Sequence, residues 1–275
     1  MLRRILIPLD EYHYSKTAIE YGTNLVQDED CHLDSLYIID IPSIEKSIGP
    51  IPAGGTFYAK KELNVRIDKE KEIAGDMIRE FSDLCRARNI KYQTKILEGE
   101  PQEIIFDESK FYDLVIVACK TSFRYGEKFD KGIQHELISH DSRPVLMIPQ
   151  EFREIRKIAL CFDGRNQSTK AIQQFVKMEI WRDRKIYLIH INNNNEAGET
   201  LSEKIGSYLN AWDIPFERVL LPGNPEEQIS NFIKTNAIDL AVMGAHGKKK
   251  LVSFIVGSTT DRFIKKAEIP LFIFH

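Results

Sequence analysis

A chain of 275 residues is long for one ordinary domain and comfortable for two, each able to bury its own core. Its 43% hydrophobic and 29% charged residues are those of a globular protein, and a formal net charge of −3 removes any global basic footprint for nucleic acid. No apolar run is long enough to span a membrane, the start of the chain reaches a charge too soon for a signal-peptide core, and the four scattered cysteines lack a C-x-x-C pair, so the expected setting is the cytoplasm with reduced thiols.

In chain order, residues 3–9 predict a buried strand ending at Asp10, and the stretch from Ser15 carries apolar positions at helical spacing. Residues 33–41 predict a second strand. Residues 42–57 hold Pro42, Pro50, Pro52, Gly54 and Gly55 and predict a long loop, unable to be helix or central strand. A helix is expected over 60–88, a third strand over 92–97, a helix over 101–109, a fourth strand over 113–119, a helix over 132–139 and a fifth strand over 144–148. This alternation argues for an α/β fold with a mainly parallel sheet and helices on both faces.

The pattern then restarts. The segment RKIALCFD from Arg156 to Asp163 mirrors RRILIPLD from Arg3 to Asp10 at a shift of 163 − 10 = 153, and Ser168 and Ala171 keep that shift from Ser15 and Ala18. Near the other end, DLAVMG from Asp239 mirrors DLVIVA from Asp113 at 239 − 113 = 126, and Pro270 mirrors Pro144 at the same shift. Gly223 and Pro225 match Gly99 and Pro101 at 223 − 99 = 124, so the shortening falls between the second and third strands, where the second half lacks the Pro/Gly-rich loop. Two domains are expected, 1–150 and 155–275, joined by a charged segment at 150–154.

At the end of the apolar run 239–243 stand Gly244 and Gly247, followed after nine residues by Gly257, Ser258 and Thr259. In an open α/β sheet ligands bind outside the carboxyl ends of the strands, and backbone N–H groups at such a loop favour an anion, most often phosphate. The competing reading is a turn that needs small residues. At the shift of 126, Gly244 falls on Ala118, Gly247 on Thr121, Gly257 on Lys131 and Ser258 on Gly132. Side chains in the first copy would block a close backbone approach to phosphate. A turn needing glycine for folding alone should need it in both copies, so the asymmetry predicts a ligand site in the second half only.

The pattern G-x2-G-x9-G-[ST] at Gly244, Gly247, Gly257 and Ser258 resembles the nucleotide-binding signature of the universal stress protein family. The strand ending at Asp163 and Gly164, the Gly223 element and the closing strand from Ile269 extend the likeness to nearly all of each half. The resemblance implies two tandem open parallel five-stranded sheets of order 3-2-1-4-5, Rossmann-like and similar to adenine nucleotide alpha hydrolases. It implies ATP as ligand, accompanied by magnesium, with Gly244, Gly247, Gly257, Ser258 and Thr259 around the phosphates. That strand order sets Asp163 across the crevice from Gly244, on the adenosine side; the family likeness alone implies that the backbone at Ile191 meets the adenine edge. For Asp163 the alternative is a carboxylate that caps the following helix. Met243 borders the site and competes with a core role; His246 and Lys248, Lys249 and Lys250 lie in the loop, either as electrostatic support or as a solvated face.

Other motifs fail on spacing. His135 and His140 are five apart rather than four, so no zinc site is expected, and neither a G-x-x-x-x-G-K-[ST] loop nor a G-x-S-x-G elbow is present. The leading expectation is a non-catalytic, ATP-binding sensor or regulator of a stress response. The competing readings are a nucleotide-independent dimerising scaffold and a slow ATPase with no catalytic residue in evidence. The apolar edges 144–149 and 270–274 are expected to pair, with each other inside one chain or across a homodimer.

Overall fold

The computed structural model describes residues 1–10, 14–26, 28–51, 54–119, 123–126, 143–191, 196–245, 260, 263–264 and 268–275. Its chain divides into two compact units, Arg3–Glu136 and Leu137–His275, the second joined by Met1 and Leu2. The first carries β1 (Arg4–Leu9), α1 (Tyr14–Leu25), β2 (His32–Ile39), α2 (Ile41–Ser47), α3 (Thr56–Ala87), β3 (Thr94–Glu98), α4 (Pro101–Ser109) and β4 (Leu114–Ala118). The second carries β5 (Val145–Ile148), β6 (Lys157–Phe162), α5 (Asn166–Lys177), β7 (Lys185–Ile191), α6 (Glu196–Ala211), β8 (Phe216–Leu221), α7 (Pro225–Asn236), β9 (Leu240–Gly244) and β10 (Leu271–Phe274).

In the first unit the strands run β3-β2-β1-β4, all parallel; in the second, β8-β7-β6-β9-β10 reproduces the expected 3-2-1-4-5 order, also parallel. The central strands read as unbroken apolar runs because both faces are covered: in β1, β4, β6 and β9 every residue after the first is buried. One clasp repeats in both units. The Asp113 carboxylate accepts the backbone N–H groups of Arg3 and Arg4, both at 2.9 Å, and Asp239 accepts those of Arg156 and Lys157, both at 3.0 Å. Each aspartate just before the fourth strand therefore fastens the start of the first. The glycines of the middle motif also repeat: Gly99 (φ 147°) and Gly223 (φ 105°) take a left-handed turn that delivers Pro101 and Pro225 to the first turns of α4 and α7.

Residues 42–57 do not form the single loop expected of them. Pro42 sits in the first turn of α2, where its missing N–H and fixed φ are tolerated, and Asp40 caps that helix by accepting the Ser43 N–H at 3.0 Å. The fully buried Ile44 ties α2 down. α3 then begins at Thr56 and runs 32 residues against 16 for α6. The two helices end alike, in the left-handed Asn89 and Asp213 (213 − 89 = 124), with the following Ile90 and Ile214 N–H groups bonded back to Cys85 and Leu209. Helix α6 is thus the counterpart of the second half of α3, and residues 56–71 have no counterpart.

The two expected edge strands do pair, within one chain: β5 lies antiparallel to β10, with Leu146 opposite Phe272 and Met147 opposite Leu271. Strand β5, which closes the first sequence repeat, is accordingly grouped with the second unit. Phe272 is fully buried and meets the Phe175 ring edge-on at 5.5 Å. The expected helix at 132–139, with His135 and His140, lies outside the described residues. Among the described residues no helix is long and apolar enough to cross a membrane. Because Phe272 fills space between β5, β9 and α5, Phe272→Ala should cost about 3–5 kcal/mol of stability, read as a lowered midpoint of urea unfolding.

Candidate functional site

The carboxyl ends of β6 and β9 lie side by side in the second unit, with α5 beginning immediately after β6. The first turn of α5 presses against Gly244 at the end of β9. A Cβ on Gly244 would stand 2.5 Å from both the Gln167 carbonyl carbon and the Ser168 nitrogen, which is backbone and cannot swing aside. Glycine is therefore required at 244 by helix–strand packing, whatever else it serves. This revises the inference drawn from the asymmetry of the copies: Ala118, buried at the corresponding end of β4, carries its methyl group where Gly244 has no room for one. Around Gly244, the buried Thr260 hydroxyl donates to its carbonyl at 3.2 Å, and Ala245 N–H bonds to Phe274 O at 2.8 Å.

From the same helix turn, the Ser168 hydroxyl reaches the Asp163 Oδ1 at 2.6 Å. That oxygen also accepts the Arg165 N–H at 3.0 Å, at the residue that stands as N-cap of α5. The first repeat holds the same pair: Ser15 Oγ donates to Asp10 Oδ1 at 2.9 Å and accepts the Asp10 N–H at 2.9 Å. Asp163 and Gly244 are thus brought together through Ser168, one side of the crevice being fastened to the other. Ile191 ends β7 half-buried, and Met243 is 4% exposed within the core, opposite Ile273 of β10. His246, Gly247, Gly257, Ser258 and Thr259, with Lys248, Lys249 and Lys250, lie outside the described residues, as do Thr121, Lys131 and Gly132 of the first copy.

The two aspartates differ in exposure. In the first unit Asp10 is 4% exposed, and Leu9, Tyr37, Asp40, Glu70 and residues 123–126 close over it, leaving a cavity of about 20 Å³, room for one water. Tyr37 donates its hydroxyl to Glu70 at 3.2 Å, Asp40 accepts the Tyr125 N–H at 3.2 Å, and Arg124 pairs with Glu100 at 2.9 Å. In the second unit the Asp163 side chain is 39% exposed. Sequence reasoning passed over His190, Thr260 and Glu70. A shift of 153 sets His190 on Tyr37, a signal that was available, whereas Glu70 lies in the unmatched part of α3 and carried none.

Burial pushes the Cys161 thiol, beside the crevice at the end of β6, up to about 12, with the nearby Asp163 charge adding to it; burial likewise raises Cys31 to about 11 and Cys85 to about 12. Among the described residues no group of three or more His, Cys, Asp or Glu side chains is arranged to hold a metal ion.

Comparison with known proteins gives a consistent relationship. The Universal stress protein family model matches residues 1–149 and 196–275. A universal stress protein of Synechocystis sp. is 29% identical over the full length of both chains. Another, from Methanocaldococcus jannaschii, is 24% identical over 137 residues, covering 43% of this chain and 81% of its own. The crystal structure of a universal stress protein from Archaeoglobus fulgidus superposes with a TM-score of 0.74 over 99% of this chain and 98% of its own, at 17% identity, which establishes the likeness of fold.

The packing at Gly244 makes a ligand-independent prediction. Gly244→Ala should destabilise the nucleotide-free protein by about 1–3 kcal/mol, as overpacking against backbone does, whereas Ala118→Gly should cost only about 0.5–1 kcal/mol through chain entropy. Equal, small shifts of the two unfolding midpoints would show that α5 has no need of the glycine.

Proposed function

The chain belongs to the universal stress protein family, and we propose that its second domain, 155–275, binds ATP at the ends of β6 and β9 and works as a non-catalytic sensor or regulator. The observation that carries this reading is the contrast between two copies of one aspartate. Asp163 is an exposed residue whose side chain is 39% accessible, while Asp10 is 4% exposed beneath side chains of its own unit. An exposed carboxylate at the strand ends, together with a glycine-spaced loop in the same half, is what a ligand needs.

On this reading the loop from Gly244 through Gly247 to Gly257, Ser258 and Thr259 offers backbone N–H groups and hydroxyls to the phosphates. Asp163 faces the adenosine side, its Oδ1 held by Ser168 and Arg165 so that the carboxylate is fixed in direction before any ligand arrives. The Ile191 backbone meets the base edge. Lys248, Lys249 and Lys250, with His246, supply positive charge that attracts a triphosphate and accompanying magnesium without specifying either. A sensing role requires ATP to favour one conformation or partner surface over another, since a ligand with equal affinity for both shifts nothing. The first domain, 1–150, then acts as scaffold in a cytoplasmic protein. The pairing of β5 with β10 inside one chain uses the edges that a dimerising scaffold would offer and so weighs against that reading.

The reading is tested by exchanging loop residues for those of the first repeat. The wild-type chain should release ATP on denaturation, detected by chromatography, and titrate with one nucleotide per chain. The double substitution Gly257→Lys and Ser258→Gly, which copies Lys131 and Gly132, should weaken binding by about tenfold or more, equivalent to about 1.4 kcal/mol, without lowering the unfolding midpoint of the nucleotide-free protein. A wild-type chain that carries no nucleotide and gives no titration signal up to millimolar ATP would refute the reading. Turnover measured with and without magnesium separates it from a slow ATPase: a rate that survives purification and falls with the same double substitution would make the protein an enzyme.

A further inference from the structure

Helix α3 carries two stripes. Leu63, Ile67, Glu70 and Ala74 recur at spacings of four and three and turn toward the first unit, Leu63 and Ile67 half-buried, Glu70 and Ala74 buried. On the opposite side Tyr58, Lys61, Val65, Asp68 and Glu72 recur at spacings of three and four, and all five are exposed. Tyr58 is 74% exposed and Val65 58%, and Phe57, whose ring meets that of Tyr58 edge-on, is 73% exposed. Apolar side chains grouped in this way on one face mark a docking surface rather than scattered surface residues. Most of the stripe falls within 56–71, the part of α3 that α6 lacks, so the frame shared by the two units does not account for it.

The charges on this face are ordered about Val65. At 3.6 residues per turn, Lys61 and Asp68 lie about 40° and 60° to one side of Val65, and Lys69 and Glu62 about 40° and 60° to the other. Glu62 pairs with Arg66 one turn along the helix, whereas Lys61, Asp68, Lys69 and Glu72 make no ion pair among the described residues. A second α3 laid antiparallel, with Val65 of both copies at the twofold axis, sets each flank against the same flank of the other copy. Lys61, four residues before Val65, then comes level with Asp68, three residues after it, to within about 1.5 Å along the helix. Glu62 meets Lys69 in the same way on the other flank. Tyr58 falls opposite Glu72, seven residues to either side of Val65, where its hydroxyl can donate to the carboxylate. Symmetry makes each pair occur twice.

We propose that this face of α3 docks a second copy of the chain, the two helices lying antiparallel about Val65. The β5 and β10 edges are already paired with each other, so self-association needs another surface. Antiparallel alignment also sets the two helix dipoles in opposition. The stripe from Tyr58 to Glu72 is about 21 Å long, short for a permanent interface, and suits a reversible dimer whose population follows concentration.

The test follows the mass of the full chain by sedimentation, from micromolar to several hundred micromolar protein, at low and high salt. Wild type should pass from monomer to dimer as concentration rises, and less readily at high salt. Val65→Asp places two carboxylates at the axis, and Lys61→Glu sets an acid against Asp68; each should raise the dissociation constant by about tenfold or more. Both positions are exposed, so the unfolding midpoint of the monomer should stay at the wild-type value. Lys61→Glu combined with Asp68→Lys reverses the pair and should restore the wild-type constant to within about twofold. A wild type that stays monomeric throughout overturns the proposal and leaves the face to a different partner. A dimer indifferent to both single substitutions, or a loss in Lys61→Glu that Asp68→Lys does not repair, overturns the antiparallel contact.

Discussion

The close approach of α5 to Gly244 is the constraint on which the second unit's crevice depends. With no side chain at the end of β9, the helix backbone at Gln167 and Ser168 settles to a distance that a single methyl group would forbid. That approach brings the Ser168 hydroxyl to Asp163, and the Asp163 carboxylate in turn holds the Arg165 N–H at the helix entry. Strand β9, helix α5 and strand β6 are thereby joined by a packing contact and two hydrogen bonds. The clasp of Asp239 on Arg156 and Lys157 fastens the opposite ends of the same two strands. The two walls are thus fastened at both ends.

The two units keep this frame, and in the first the residues that stand above it are described. Asp10 with Ser15 and Asp163 with Ser168 are the same device, yet the first unit spends its extra chain on covering the result. The α2 helix, capped by Asp40 and held by Ile44, turns the chain into the longer α3, and α3 carries Glu70 down to Tyr37. Residues 123–126 complete the closure through the Tyr125 N–H on Asp40. Tyr37, Glu70 and Asp40 there have found partners within the chain, which is the condition for burying them at all.

Central strands were legible in the sequence because burial on both faces leaves short apolar runs in β1, β4, β6 and β9, of strand rather than helix length. The duplication was legible because the aspartates that end or precede those strands recur at fixed shifts. Residues 42–57 were misread for a definite reason: proline excludes a helix interior but suits a helix start, and the cap that distinguishes the two, Asp40, lay just outside the segment. The strand at Val145–Ile148 was legible as a strand, whereas its antiparallel partner 126 residues along the chain was offered only as one of two pairings. The reason for Gly244 was not legible at all, because the atoms that forbid a side chain there belong to Gln167 and Ser168, far away in sequence. Comparing the copies suggested that the glycine served a ligand alone, since Ala118 showed the turn could close without it. That comparison tests the turn and is blind to the helix packed against it.

What the described walls can do chemically follows from how their polar groups are already engaged. Asp163 is held by two donors on one oxygen, His190 has its Nδ1 proton on the Phe162 carbonyl, and Cys161 is held as a thiol by burial. Each group is fixed in direction, and none is held against a second titratable side chain in the manner of a nucleophile and its base. Fixed hydrogen-bonding groups and a helix start recognise a ligand at little reorganisation cost. If ATP binds the folded second unit and not the unfolded chain, the free energy of binding adds to the stability of that unit as RT ln(1 + [L]/Kd), about 2.7 kcal/mol at a hundredfold excess over Kd. The first unit, with its crevice filled from within, gains nothing directly. Occupancy would then appear as a difference in stability between two otherwise similar halves.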